Sequence, residues 1–431
     1  MDVLKKRVRR IRDSGFVRNV ALVAGGTAGA QLIAAAFAPI LTRQYGAASY
    51  GVLGAFLAIV AVVTNIAGMT YPIAIVLPQD DRKARNLAVL SIAIATVLAA
   101  LIAIAMWQLG PQVEGWVSMQ MAGLDLLLPI TVLLTTMLSA GQQWLIRRGS
   151  FKVMAAAGVA QAFVINGVKA GFGAFAPTAY VLVTISALAP ALHLLFMSRG
   201  LRDLVRFDNT DLPRRSRHHE LCEVAWEYRD FPKYRAPQHL LNSFSFAVPT
   251  LLLAGTYGAK AAGFYAITQT VMGLPSALIG KAVGDVFYPR VTATIHDGRA
   301  ADIEIGQATG ALLVSGLLPF GIIVAVGPEL FAFVFGAEWG QAGQYARWLA
   351  PFYLLNLANK PSVAAIAPLG IQGPLLVYEV VATTLKCTGF LLGFYWIGDD
   401  VVSVALFSGA GTLAYMALIF YVIAKARNIY R

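Results

Sequence analysis

Four lysines stand inside long hydrophobic runs of this chain: Lys169, Lys281, Lys360 and Lys386. A charged group in hydrocarbon is costly, so each marks a candidate functional site unless it reaches the interface or a partner. Depth separates them. Lys386 lies ~20 Å into the run 373–397 at 1.5 Å per helical residue, near the centre of the apolar layer. Glu379, Thr383 and Lys386 are spaced by four and three, which puts them on one helical face. Two readings of that face stand: a structural salt link, or a polar stripe lining a cavity. Lys281 lies ~30 Å along its run, at the far interface, where it snorkels, pairs with Asp285 one turn on, or serves a site. Lys169 belongs to the outer third of its run. Lys360 follows Asn356 and Asn359 and precedes Pro361, a pattern that predicts a broken, solvated helical segment. Gln31, Asn65, Asn166, Asn242 and Gln269 reach similar depths, and hydrogen bonding between helices is the ordinary explanation of each. Taken with the lysines they describe a polar, cationic interior suited to a phosphate-bearing cargo. The acids within the spans, Asp285 and Glu379, are the candidates for coupling an ion.

No set of residues points to bond-making chemistry. Pro275 to Ala282 is the nearest approach to a phosphate-cradling G-x-x-x-x-G-K-[ST] loop, and it lacks the first glycine and the hydroxyl. Gly171 to Ala176 fits G-x-G-x-x-A with no strand before it. Cys222 and Cys387 give neither a disulfide framework nor metal spacing. We expect no cofactor, no metal and no enzymatic activity.

The elements that must position these residues follow from composition. The 431 residues are 58% hydrophobic and 13% charged, with mean hydropathy +0.67, outside the range of soluble domains. Runs of about 20 apolar residues, the length of a transmembrane helix, recur almost end to end. We place helices at 19–42, 49–78, 86–109, 122–146, 153–175 and 178–198, then at 238–256, 261–289, 304–326, 344–366, 373–397 and 401–424. The basic opening followed by an apolar run imitates a secretory signal. The run is too long for one, Pro39 follows the would-be cleavage site Ala36-Phe37-Ala38, and many spans come after it, so we expect no cleavage.

Charge sets the expected topology. With the N-terminus inside, the inner segments carry 27 of the 34 Lys/Arg, and the outer loops only Arg43, Lys260 and Arg347. That bias orients the chain with both termini cytoplasmic, and it accounts for most of the net charge of +12 without a nucleic-acid partner. The polar stretch 199–237 separates two halves that repeat. Tyr45 to Gly51 reads YGAASYG and Tyr257 to Gly263 reads YGAKAAG, 212 residues later. The fold expected is all-α and integral to the membrane, with about 12 transmembrane helices in two parallel six-helix lobes, 1–198 and 238–431, joined by a cytoplasmic linker. Two such lobes can rock about a site between them. Gly25/Gly29, Gly167/Gly171, Gly280/Gly284, Gly306/Gly310 and Gly389/Gly393 are expected to let helices approach closely.

The opening LVAGGTAGAQLIAAAFAPILTRQYGAASYGVLGAF and the segment YGAKAAGFYAITQTVMGLPSALIGKAVGDVFYPR resemble the corresponding regions of Wzx-type lipid-linked oligosaccharide flippases of the MOP exporter superfamily. The resemblance implies a MATE-like, two-lobed transporter of the bacterial inner membrane. It implies a cargo of undecaprenyl-diphosphate-linked oligosaccharide repeat units for surface polysaccharide such as O-antigen, moved by alternating access. Membrane lipids, a polysaccharide polymerase and glycosyltransferases are the partners it implies. No position matches a residue-level motif of that family, so the site residues rest on depth and charge. Lys386, Lys360, Lys169 and Lys281 would meet the diphosphate, and Gln31, Asn65, Asn242 and Gln269 would meet sugar hydroxyls. The competing reading is a MATE-type multidrug antiporter, whose cationic cargo would want buried carboxylates.

Overall fold

A computed structural model describes residues 15–117, 126–206, 214–296 and 300–428. Helix is the regular structure of the described residues, and none of them is in a strand. The elements are α1 (Gly15–Ala67), α2 (Tyr71–Ala74), α3 (Asp81–Val117), α4 (Leu127–Arg147), α5 (Phe151–Gly173), α6 (Ala179–Met197), α7 (Arg202–Arg206) and α8 (Arg214–Glu227). A π-helical turn over Phe231–Arg235 leads into α9 (Ala236–Thr256). There follow α10 (Ala259–His296), α11 (Asp302–Phe335), α12 (Gly340–Ala358), α13 (Lys360–Ile366), α14 (Gln372–Leu392) and α15 (Asp400–Asn428). Seven described helices are long and apolar enough to cross a membrane, and the fold is that of an all-α, multi-pass membrane protein.

The chain divides into two compact units at other boundaries than the sequence suggests. One holds residues 1–44 and 56–244, the other 45–55 and 245–431. The first two expected spans are one element, α1, broken at Gly46, whose φ of 68° and ψ of 169° are not helical. Gly258, 212 residues on, has φ 87°. Both values favour glycine, which has no Cβ to clash. Each copy of the repeat thus opens with a glycine break and continues as Ala-x-x-x-Gly.

Those two continuations pack on each other inside the second unit. A Cβ on Gly51 would lie 1.7 Å from the carbonyl oxygen of Ala259, and one on Gly263 would lie 1.8 Å from that of Ala47. Ala47 and Gly51 match Ala259 and Gly263 across the repeat, so the contact is symmetric under it. Around it stand Tyr50 and Phe264, edge-on to Trp339 at 5.6 and 5.7 Å between ring centroids. Gly389 and Gly393 do bring α14 against α15, at Leu406 and Ser403, whereas Gly167, Gly171, Gly306 and Gly310 face open space. At the first pair Gly29 only touches Val159, and its neighbour Gly26 makes the close approach, to Ala155. The side chains around Gly280 and Gly284 lie outside the described residues.

The first unit packs α4 on α3 and α6, and α5 on α6, around a core that includes Tyr71, Leu87, Trp144, Leu145 and Met197. Arg147 closes one end. It donates to the carbonyls of Pro78 and Gln79, and with Arg148 it grips Asp81, at 2.9 and 3.1 Å. The stretch expected as a solvated linker is docked here instead. Val224 is 2% exposed and belongs to the same core, packed with Tyr228 and Phe231 against it. Tyr71 donates to the Ala225 carbonyl and Thr70 to that of Phe231, both at 3.1 Å. The apolar positions 224, 228 and 231 follow a helical spacing that the surrounding charge obscures.

In the second unit α11 packs on α12, α14 on α15, and α12 on both α10 and α15. Arg347, expected in an outer loop, is on α12. Its Nε donates to the Val324 carbonyl at 2.9 Å and its Nη2 to that of Ala325 at 3.2 Å. Pro328 explains the contact, because a proline has no N–H to offer the carbonyl four residues back. The guanidinium supplies the missing donor where α11 departs from helical geometry at Val326.

The repeat contact leaves no room for a side chain. Gly51→Val and Gly263→Val are each expected to lower stability by about 1–3 kcal/mol, the usual cost of overpacking, read as a fall in Tm in detergent. Gly167→Val, in open space, should leave Tm unchanged.

Candidate functional site

The candidate centre is on α14. Its periodicity brings Thr383 and Lys386 to a buried face, with Glu379 half-buried one turn before Thr383. Lys386 is 6% exposed, so it does not point into lipid. Its ammonium donates to Ser245 Oγ of α9 and lies 5.8 Å from the ring centre of Phe407 on α15. Gly411 on α15 makes room for the stem, since a Cβ there would come 3.3 Å from Lys386 Cδ and 2.5 Å from the Phe352 ring. Among the described residues no carboxylate lies within ion-pairing distance of Lys386. An ammonium has three N–H donors, and Ser245 accepts one of them.

A second polar group lies in the same unit. Asn356 donates to Tyr415 at 2.6 Å and accepts from Ser276 at 3.3 Å. α12 ends just before Asn359 and α13 begins at Lys360, so the Asn-Lys-Pro sequence does interrupt the helix. Lys360 is half-buried and has no polar partner among the described residues. The buried oxygens Asn359 Oδ1, Ser362 Oγ and Thr383 Oγ1 likewise find no partner among them. Gln269 donates to the Phe246 carbonyl at 3.2 Å.

In the first unit, Asn65 donates to Ser243 Oγ at 2.6 Å and to its own helix at Ala61. Asn166 likewise bonds within its helix, to Ala162. Lys169 and Gln31 are half-buried, and Asn242 is exposed. Gln44, which sequence reasoning did not single out, reaches the Ala170 carbonyl next to Lys169 at 3.2 Å. The side chains of Lys281 and Asp285, on α10, lie outside the described residues. The structure thus joins Lys386 to Ser245 within the second unit and Asn65 to Ser243 within the first. Ser245, Tyr415 and Phe407 were missed because a lone serine or an aromatic in an apolar helix carries no distinguishing spacing.

This helical scaffold is found in known proteins. The family described as polysaccharide biosynthesis protein matches residues 40–344. The chain belongs to that family. No curated protein matches the chain, but solved structures share its fold. An inward-facing multidrug resistance MATE family transporter of the MOP superfamily is 14% identical, with a TM-score of 0.62 over 96% of each chain. The lipid II flippase MurJ, in an inward closed conformation, is 10% identical with a TM-score of 0.70, over 95% of this chain and 90% of that one. A MOP superfamily transporter from Pyrococcus furiosus is 14% identical, with a TM-score of 0.58 over 95% of each. At these identities the likeness is one of fold. The chain therefore has the fold shared by these transporters of the MOP superfamily.

The Lys386 arrangement has a thermodynamic signature. A buried ammonium with a neutral partner is a cost to folding, so Lys386→Met should hold or raise Tm in detergent. Ser245→Ala, which strips the ammonium of its acceptor, should lower stability by about 1–3 kcal/mol. The double variant should recover the loss; a large fall in Tm for Lys386→Met alone would make the lysine structural.

Proposed function

We propose that this protein flips lipid-linked oligosaccharide repeat units, carried on undecaprenyl diphosphate, across the bacterial inner membrane by alternating access. The observation that carries the reading is the Lys386 ammonium, buried with a hydroxyl acceptor and donors to spare. A phosphate oxygen suits such a group, because charge-assisted hydrogen bonds in a low dielectric are strong. At 6% exposure the lysine meets cargo in another conformation than this one. Lys360, Lys169 and Lys281 would extend the positive lining, and Gln31, Asn65, Asn242 and Gln269 would meet sugar hydroxyls. Asp285 and Glu379 are the groups available to an ion gradient.

Membership in a polysaccharide biosynthesis family and a fold shared with a lipid II flippase support this reading. The positive-inside bias supports cytoplasmic termini. Work on such a glycan would place the protein beside a polymerase and glycosyltransferases, with no bond made or broken by the chain itself. The fold shared with multidrug MATE transporters keeps a drug antiporter as the second reading. The scarcity of acids within the spans weighs against it.

Complementation separates the two. In a deletion strain the wild-type gene should restore surface polysaccharide, and Lys386→Ala should fail to, at equal membrane abundance. Full polysaccharide with Lys386→Ala would remove the lysine from the transport mechanism. Drug sensitivity of the deletion strain with intact glycan would favour the antiporter.

A further inference from the structure

The docked segment made of α8 and the π-helical turn after it has an outer face that the transport reading does not use. Trp226 is 71% exposed and Tyr234 is 60% exposed. Each carries a cation over its ring: Arg229 at 4.2 Å from the Trp226 ring centre, and Lys233 at 4.9 Å from that of Tyr234. Arg235 follows, also exposed. Among the described residues none of these three cations has a carboxylate within ion-pairing distance, while two of the segment's acids are already engaged. Glu220 binds Arg82 at 2.8 Å and Asn86 at 3.2 Å, and Glu227 binds Lys83 at 2.7 Å. The acids left on the exposed surface are Glu223 and Asp230.

The same contacts fix the height of this face. Arg82 and Lys83 are in the first turn of α3, where the candidate membrane span Asp81–Gln108 begins. The π-helical turn that holds Lys233, Tyr234 and Arg235 runs directly into α9. Exposed Trp and Tyr beside the ends of apolar helices are the residues of the membrane–water interface. Basic side chains at that level attract anionic lipids.

We infer that Trp226, Arg229, Lys233, Tyr234 and Arg235 form a binding site for the headgroup of an anionic phospholipid. The guanidinium and ammonium groups take the phosphate and the rings lie at the headgroup level. This rests on the reading of the chain as a membrane protein and not on what it transports. The opposite face of the segment is held through Val224, Ala225 and Phe231, and the bound lipid would brace the docked segment within the first unit.

Native mass spectrometry of the purified full chain, exposed to equimolar phosphatidylglycerol and phosphatidylethanolamine, tests it. The wild type should retain phosphatidylglycerol preferentially. Neutralising Arg229, Lys233 and Arg235 to Gln should lower that preference about fivefold per charge, the factor equivalent to about 1 kcal/mol for each basic residue near a charged surface. Glu223→Gln with Asp230→Asn should raise it. Arg229→Lys with Arg235→Lys should keep most of it. A wild type without preference, or a triple variant that keeps the full preference, overturns the site. If the triple variant does not fold, the acid-removing variant decides, because no rise in preference there also overturns it. Surface polysaccharide scored separately distinguishes this outcome from a failure of the transport reading, which turns on Lys386.

Discussion

The structure depends on a backbone-to-backbone contact between two copies of one short pattern. Ala47 and Gly51 meet Ala259 and Gly263 so closely that no side chain fits at either glycine. In a membrane the apolar surfaces of helices gain little from leaving lipid, so association relies on dispersion at close range and on polar contacts. Two Ala-x-x-x-Gly faces in mutual register supply that closeness. The glycine before each, Gly46 and Gly258, breaks the chain so that the pattern begins a new helical segment. As a result α1 serves both compact units: residues 45–55 belong to the second, and the residues before and after them belong to the first.

The polar groups of the interior obey the same rule of local satisfaction. Arg347 stands in for the donor that Pro328 lacks, and Arg147 collects the carbonyls of a loop that has left its helix. Arg347 is held by backbone carbonyls, and Arg147 by backbone carbonyls and the Asp81 carboxylate. These two basic groups are committed to structure, in contrast with Lys386. Its stem is accommodated by Gly411 and its head meets one neutral oxygen.

How far the sequence could be read divides along physical lines. The all-α membrane class was legible, because apolar length is a one-dimensional property. The repeat was legible too, though not that its copies touch, since spacing does not tell which helix a face will meet. For that reason Gly167/Gly171 and Gly306/Gly310 resembled packing motifs and face open space, while Gly51 and Gly263 carry the contact. The depth of Lys386 could be counted along its helix; its acceptor, Ser245, is 141 residues away in sequence. The docking of the linker is hidden in the sequence because three apolar positions, 224, 228 and 231, are diluted by charge, and exposed charges on one face look the same as a wholly solvated stretch.

Why an ammonium should be buried against a hydroxyl follows from what each possible partner would do. A carboxylate within hydrogen-bonding distance would offset the desolvation of the lysine, but it would neutralise the field that a phosphate could feel. Seven residues of helix, ~10 Å of rise, separate Glu379 from Lys386. At that separation an acid lowers the cost of the charge without occupying its donors. Ser245 fixes the direction of one N–H and leaves the formal charge whole. The ring of Phe407 adds attraction from its face without offering a competing anion. A group held in this way is less stable than a salt bridge and more available than one, the property that separates a recognition charge from a structural one.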